Sequence, residues 1–411
     1  MAALNYPRPL LFSNTDRDRI FPLDGVYRTY SLVRRLYESG KHPDDVALNI
    51  TAGGHLDTQE LQIHAMRWFD KHLRGEVRLI ENAAQKLFEP EQLKVFQQLP
   101  ADQLNTTIDE TFVAQAAEPV VPASASEWVA QRDEVVAALK EQTFRGWPAE
   151  ETPLQIGRPQ SWDQGGLTLT TYELVTQPHV SLTLFVVHKA GLTKADLVVL
   201  NPLDQVGWEE FVKTLASKFP VAFGSTAPAD NADTAEFTSL QQMLTNFPWV
   251  MAYVAPRGVG PTQWSQETKK HTQNRRRYYL LGQTWEGMQT WDIRRAMQSA
   301  RSLETFGSAP LWLQAEGNMG VLACYASLFE PPVKRLDLHK LPISHAPEGP
   351  PLLNVLRTLD IPQALAMSAE RSQLVIYDSD SAVSHFATST AKGLGWPAKQ
   401  VQVRSSAPGG K

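Results

Sequence analysis

Three features are scarce in this sequence, and each scarcity narrows what the protein can be. Its 411 residues include one cysteine, which excludes an internal disulfide and a zinc site built from Cys-x-x-Cys pairs. No apolar run reaches the roughly 18 residues that a membrane-spanning helix needs. Positive charge is not in excess, since the formal net charge is -5. We therefore expect neither nucleic acid nor a membrane as a partner.

A fourth absence lies in residues 310–326, which read PLWLQAEGNMGVLACYA. This pattern predicts a short apolar strand, a glycine-flanked turn and a helix of small residues. In a G-x-S-x-G nucleophile elbow, such a turn raises a serine above the sheet. Here the place of the serine falls at about Asn318, whose amide cannot attack a substrate. We interpret Asn318 as a degenerate nucleophile position and Cys324, in the following helix, as a buried structural thiol.

The N-terminal part of the chain carries two predicted strands with polar residues at their ends. The strand Leu10–Asn14 leads into an acidic segment and a helix over about 24–40. The strand 46–51 leads into Gly-Gly-His55 and a helix from about 58 to 73. An α/β-hydrolase chain ends in the same order: a strand, an acid, a helix, a strand and a histidine. Its triad residues occur along the chain as Ser first, then Asp or Glu, and His last.

The remainder of the chain divides into a polar stretch and a region of alternating elements. Residues 76–112 are predicted to be helical, 114–126 to form a Pro/Ala-rich linker, and 127–143 to form a helix. Beyond residue 160 the sequence predicts strands at 167–176, 181–188, 195–201, 249–255, 311–314 and 373–377, and helices at 207–217, 276–281 and 290–304. This alternation predicts an α/β fold with a mostly parallel sheet flanked by helices.

Four segments of the chain carry a resemblance to a known family. Residues 254–260 (VAPRGVG) resemble the strand-end R-G-x-G of prolyl-oligopeptidase-like and acetylxylan-esterase-like α/β-hydrolases, and 291–296 (WDIRRA) resemble the D-x-x-x-A helix before their elbow. Residues 8–22 and 53–60 resemble the acid and histidine segments of the same enzymes. The resemblance covers nearly the whole chain in two pieces.

The resemblance implies a domain plan and a set of roles. Residues 1–115 look like the C-terminal part of one hydrolase domain whose serine lies upstream, 116–159 form a linker and helix, and 160–404 look like a degenerate second copy. Asp18, in a D-x-I-F-P turn, fits the triad acid, and His55 fits the triad base. Relatives of this type are often exported, although this chain shows no signal segment and is expected to be cytoplasmic as expressed.

The second copy offers weaker candidates for the same roles. Asp360 lies where its acid is expected, and His385 lies roughly where its histidine is expected. Three nearby serines, Ser379, Ser381 and Ser384, are not singled out by any turn pattern. A solvated loop of small polar residues explains this segment better than a second catalytic site does.

A metal site is an alternative use of the acidic and histidine segments. Asp16, Asp18, His55 and Asp57 fall at the ends of two neighbouring predicted strands, and His64 follows one helix later. Zinc or another divalent metal commonly takes histidine and carboxylate ligands and lowers the pKa of a bound water to about 7. The metal hypothesis takes His55, Asp18 and Asp57 as ligands of a metal-activated water that attacks carboxylic esters or phosphotriesters.

Three functions remain open at this stage. The chain is an esterase-like or phosphoesterase-like hydrolase of a small-molecule ester, working through Asp18 and His55 without an elbow serine. Alternatively, it is a non-catalytic module that binds a carbohydrate or a protein, or a fragment that needs a serine-bearing half. Because two strands alone leave sheet edges unpaired, we also expect a homodimer through the N-terminal segment.

Overall fold

The computed structural model describes residues 1–405 except 82, 84, 85, 150, 151, 225–233 and 266. The chain divides into two compact units, Met1–Thr106 and Thr107–Lys411. The predicted boundary at residue 115 lies shortly inside the second unit. In the described part of the chain, no helix has both the length and the apolar character needed to cross a bilayer.

The first unit has a strand, helix, strand, helix order. Its elements are β1 (Leu10–Thr15), α1 (Leu23–Ser39), β2 (Val46–Thr51) and α2 (Gln59–Phe69), which continues as a π-helical turn over Asp70–Arg74. The strands are parallel, with Leu10 opposite Val46 and Thr15 opposite Thr51. These elements match the sequence-based predictions to within a few residues, because each has a regular apolar spacing and a clear stop signal.

The core of the first unit is small. Val33, Tyr37 and Val46 are buried, and Leu10 and Phe12 pack against them. The Tyr37 hydroxyl donates a hydrogen bond to the Arg8 carbonyl at 2.6 Å, which satisfies its buried polar atom. This core joins one face of the strand pair to α1 and fixes the positions of the strand ends.

The prediction of helix over residues 76–112 is wrong for the part that the structure describes. There the backbone forms one short 3₁₀ turn, Pro90–Leu93, and a four-residue helix α3, Ile108–Thr111. Proline and scattered apolar residues interrupt any 3.6-residue period in this segment, so charge alone was a poor guide. Leu87, Leu93 and Leu99 are all exposed.

Among the residues that the structure describes, the second unit has ten strands in one sheet. They are β3 (Gln155–Ile156), β4 (Gln160–Gln164), β5 (Leu167–Gln177), β6 (Val180–Lys189), β7 (Leu197–Pro202), β8 (Trp249–Val254), β9 (Leu311–Glu316), β10 (Arg335–His339), β11 (Gln373–Tyr377) and β12 (Val401–Arg404). The order is β12-β11-β10-β9-β7-β8-β6-β5-β3, with β4 also paired to β5. The six strands from β8 to β12 across this order run parallel, and β6 runs antiparallel to both neighbours. The prediction of a mostly parallel sheet is confirmed.

Helices cover both faces of this sheet. After α3 they are α4 (Ala125–Ala138), α5 (Gln205–Leu215), α6 (Pro220–Phe223), α7 (Thr234–Asn246), α8 (Thr268–Leu280), α9 (Trp285–Ser302), α10 (Gly317–Leu328), α11 (Ile361–Arg371) and α12 (Ser381–Gly393). Strand β7 shows the two layers, because Val198 and Leu200 belong to one buried cluster while Leu197 and Val199 belong to the other. Alternate residues of a strand point to opposite faces, so a doubly covered strand is apolar throughout.

A buried ion pair ties the carboxyl end of β8 to α9. The Arg257 side chain donates to Asp292 from Nη2 at 2.6 Å and from Nε at 2.8 Å, and its backbone N–H donates to the same carboxylate at 2.9 Å. Asp292 is fully buried and Arg257 is 5% exposed. The guanidinium also donates to Gln177 and Thr176 of β5. One side chain thus connects β5, the loop after β8, and α9.

We expect Asp292→Asn to lower the free energy of unfolding of the second unit by about 3–5 kcal/mol, because it leaves a buried guanidinium without a counter-charge. Urea unfolding followed by circular dichroism measures this change. The matched control is Glu267→Gln, which removes an exposed partner of Lys270 at 3.0 Å and should cost less than about 1 kcal/mol. Equal effects of the two substitutions would contradict the prediction.

Candidate active site

The ends of β1 and β2 bring an aspartate and a histidine together. His55 Nδ1 lies 2.8 Å from Asp18 Oδ2. The Asp18 side chain is 6% exposed, whereas that of His55 is 58% exposed. The carboxylate is therefore enclosed, and the imidazole carries its other nitrogen toward the surface of the unit.

The local chain fold holds Asp18 in place. Its Oδ1 accepts hydrogen bonds from the backbone N–H of Ile20 at 2.7 Å and of Phe21 at 3.0 Å. The hydrogen bond with His55 is the largest influence that lowers the pKa of Asp18 below its usual 3.8, and the two backbone bonds act in the same direction. Asp18 is thus an ionised acceptor well suited to orient an imidazole.

A second aspartate fastens the two strand ends to each other. Asp16 Oδ1 accepts from the N–H of Gly53 at 2.8 Å, and the Thr15 hydroxyl donates to the carbonyl of Gly54 at 2.6 Å. Gly53 has φ +145°, a backbone conformation that residues other than glycine rarely adopt. The backbone of the Gly-Gly pair before His55 therefore turns so that the histidine lies beside Asp18.

The residues of the metal hypothesis do not converge. Asp57 accepts a hydrogen bond from Gln62 at 2.9 Å, His64 lies on the exposed side of α2, and Thr58, not Asp57, caps that helix. Within the described residues there is no group of three or more histidine, cysteine or acidic side chains placed to hold a metal. Asp18 and His55 bond to each other, whereas Asp57 bonds to Gln62, so the geometry does not support His55, Asp18 and Asp57 as one ligand set.

In the second unit, the predicted elbow forms but its apex is displaced by one residue. Strand β9 ends at Glu316 and α10 begins at Gly317, which has φ +55°. The residue with the strained backbone at a strand-to-helix turn is the one that an elbow presents to the substrate. Gly317 therefore has the backbone conformation expected at the apex, and Asn318, the predicted nucleophile position, lies inside the first turn of the helix. Neither residue carries a nucleophilic atom.

An ion pair flanks this apex. Lys340, which follows β10, lies 2.6 Å from Glu316 Oε1, and this interaction is the main cause that raises the pKa of the lysine. Both side chains are more than half exposed. The turn thus has the backbone of an elbow. The Lys340–Glu316 ion pair lies beside it, and the turn carries no reactive hydroxyl.

The segment β11–α12–β12 repeats the geometry of β1–α1–β2 and corrects the assignment of the second acid. Asp378 N–H donates to the carbonyl of Arg404, the last residue of β12, as Asp16 N–H donates to that of Thr51, the last residue of β2. Asp380 accepts from the N–H two residues later at 2.8 Å, as Asp18 does at 2.7 Å. By position, Asp380 corresponds to Asp18. Sequence reasoning missed it, although the shared strand-Asp-x-Asp spacing was a usable signal.

The predicted candidates of the second copy have other contacts. Asp360 caps α11, accepting from the N–H of Ile361 at 2.7 Å and of His345 at 2.9 Å. His385 lies on the exposed side of α12. These contacts assign Asp360 to the capping of a helix rather than to a strand end, because α11 precedes β11.

The nearby serines and the cysteine are structural in their contacts. The Ser379 hydroxyl accepts from the N–H of Leu341 and donates to the carbonyl of Tyr377, both at 2.9 Å. Ser384 donates to the carbonyl of Ser381 within α12. Cys324 is buried, and burial raises the pKa of its thiol to about 12, which confirms its interpretation as a buried thiol.

Comparisons with known proteins place the fold. No protein-family model matches the chain, and no curated protein matches it. Among solved structures, it is similar to a protein of Bacteroides fragilis NCTC 9343 provisionally assigned as an acetyl xylan esterase, with a TM-score of 0.55, 11% identity, and coverage of 77% of this chain and 87% of that one. It is also similar to a glucuronoyl esterase from Solibacter usitatus, with a TM-score of 0.50, 12% identity, and coverage of 71% and 94%.

These neighbours are esterases of the α/β-hydrolase fold, and this chain has that fold. The sheet order of the second unit, its antiparallel β6 and the strand-to-helix turn at Gly317 are the features that agree with it. At this level of identity the likeness concerns the fold.

Replacing Gly317 tests whether the turn requires the left-handed backbone region. An ideal Cβ at this position meets no heavy atom within 4 Å, so the cost of a side chain is conformational. We expect Gly317→Val to destabilise the second unit by about 1–2 kcal/mol and Gly317→Asn by less, because asparagine tolerates positive φ. Urea unfolding measures both variants. Wild-type stability in Gly317→Val would show that the turn can rearrange.

The titration of Asp18 tests the hydrogen bond with His55. In His55→Ala the pKa of Asp18 should rise toward its usual value, because the largest cause of its lowering is removed. In wild type the ionised form favours folding above about pH 4, and this contribution is lost as the pH falls through the lowered pKa. Carbon-detected NMR of labelled aspartates measures the titration, with His64→Ala as the control. An unchanged Asp18 pKa in His55→Ala would contradict the contact.

Proposed function

We propose that this chain is a hydrolase of carboxylic esters in which His55, oriented by Asp18, is the general base. The observation that carries the proposal is the enclosed carboxylate of Asp18, 2.8 Å from Nδ1 of an imidazole that is itself largely exposed. The fold is shared with proteins named as esterases, which supports an ester over a phosphoester substrate.

The hydrogen bond with Asp18 selects one form of the imidazole. With the proton on Nδ1 directed to the carboxylate, the lone pair of a neutral His55 lies on Nε2. That nitrogen can accept a proton from a hydroxyl as the hydroxyl oxygen attacks an ester carbonyl. The carboxylate then stabilises the imidazolium that forms, and the imidazolium returns the proton to the leaving alkoxide.

The attacking hydroxyl comes from outside the turn of the second unit. Gly317 and Asn318 carry no hydroxyl, so a serine or a water placed at His55 Nε2 has to supply the oxygen. A hydrolase with water as the direct nucleophile needs no further residue.

A binding role is the second candidate, and the turn at Gly317 favours it for the second unit. That unit keeps a complete sheet and an elbow-shaped turn, yet the apex bears a hydrogen atom in place of a nucleophile. A non-catalytic carbohydrate-binding or protein-binding module would have this arrangement.

Hydrolysis of p-nitrophenyl acetate and of acetylated xylan by the purified chain tests the proposal. His55→Ala should lower kcat/KM by about 10²–10⁴-fold, since a positioned general base contributes a factor of that size. Asp18→Asn should also lower it, through loss of the favoured tautomer. His64→Ala, an exposed histidine nearby, is the matched control and should retain full activity. Turnover that is absent, or equal in His55→Ala, would overturn the proposal in favour of a binding role.

A further inference from the structure

A strongly cationic helix stands out in the second unit. Helix α8 carries five lysines and arginines and no acidic residue in its thirteen residues, in a chain whose formal net charge is -5. Beside it lies a cavity of about 540 Å³. Its lining joins two aromatic rings, two cations and two amides: Trp264, Tyr278, Lys270, Arg277, Gln273 and Asn274.

The aromatic wall of this cavity, formed by Trp264 and Tyr278, packs against a further ring. The Trp264 ring lies 4.7 Å from that of Trp285 and 5.9 Å from that of Tyr278, measured between centroids. The Trp285 indole donates to the carbonyl of Arg257 at 2.9 Å. Trp264 nevertheless remains 46% exposed. A half-exposed indole packed against two other rings is a stacking surface for a planar ring, and it loses less freedom on binding than an unpacked side chain would.

The charges beside the wall are only partly balanced. Lys270 pairs with Glu267 at 3.0 Å, and Arg275 pairs with Glu286. Arg277 donates to the side-chain oxygen of Asn274 at 3.1 Å, which leaves further N–H groups of the guanidinium for a ligand. Among the described residues, no acidic side chain forms an ion pair with Arg276 or Arg277. The surplus of positive charge suits a doubly charged anion such as a phosphate.

We infer that this cavity, the α8 cavity, binds a nucleoside monophosphate. The base stacks on Trp264, the amides of Gln273 and Asn274 hydrogen-bond to its edge, and the phosphate lies against Arg277 and Lys270. The volume is within the range of small-molecule sites. The inference does not depend on His55 or on ester hydrolysis, and it makes the second unit a ligand-binding unit.

Isothermal titration calorimetry of the full chain with AMP tests the inference. Adenosine and inorganic phosphate alone should each bind at least about tenfold more weakly than AMP, because each lacks one half of the contacts. The affinity for AMP should fall as salt is raised from low ionic strength. Glucuronate is the comparison ligand, since it offers a sugar ring and a single carboxylate. Tighter binding of glucuronate than of AMP would overturn the assignment to a nucleotide.

Two variants and one control locate the site. Trp264→Ala and Arg277→Gln should each weaken AMP binding by about tenfold or more. Arg276→Gln removes an equal charge one residue away from the lining and should change the affinity by less than about threefold. Thermal unfolding verifies that each variant is folded. No AMP binding by wild type, or equal losses in Arg276→Gln and Arg277→Gln, would overturn the inference.

Discussion

The second unit depends on the ion pair between Arg257 and Asp292. Both side chains are buried, and the hydrogen bonds of the pair join β5, the loop after β8 and α9. The Arg257 carbonyl in turn receives the Trp285 indole, whose ring packs so closely on Gly258 that a Cβ there would lie 2.2 Å from it. The loop after β8, the start of α9 and the aromatic wall beside α8 are therefore set by one contact. The glycine at position 258 and the buried charges of Arg257 and Asp292 serve the same packed arrangement.

The two units contain different parts of the arrangement on which the proposed esterase function depends. The first unit joins Asp18 to His55 and presents the free nitrogen of the imidazole. The second keeps the sheet, the turn and an aspartate at the position of Asp18, but Gly317 occupies the apex. The geometry of an α/β-hydrolase site is thus maintained by backbone hydrogen bonds at strand ends, and these persist whether or not the reactive groups are present.

The sequence predicted what short-range patterns determine. The strands β1 and β2 follow from apolar spacing. The pair Asp18–His55 was expected from the resemblance of residues 8–22 and 53–60 to the acid and histidine segments of known hydrolases. The sequence-based prediction missed β10. Arg335 and Asp337 of this strand pair with each other at 2.7 Å, and their charges make a buried strand look polar in the sequence. It could not place the elbow apex, because glycine and asparagine both accept positive φ. The metal hypothesis likewise started from composition, which shows which donors exist but not which hydrogen bonds already engage them.

The open space beside Gly317 determines what a side chain at this turn would cost. In an active elbow, the nucleophile occupies a backbone conformation that disfavours any side chain, so reactivity is maintained at the expense of stability. Glycine adopts φ +55° without that conflict, and no neighbouring atom lies where a side chain would begin. Glycine thus leaves this turn without the conformational cost that a nucleophile would add there. Because the space beside it is open, a serine at position 317 would bring a hydroxyl to the turn at a conformational cost alone, without any repacking of the core.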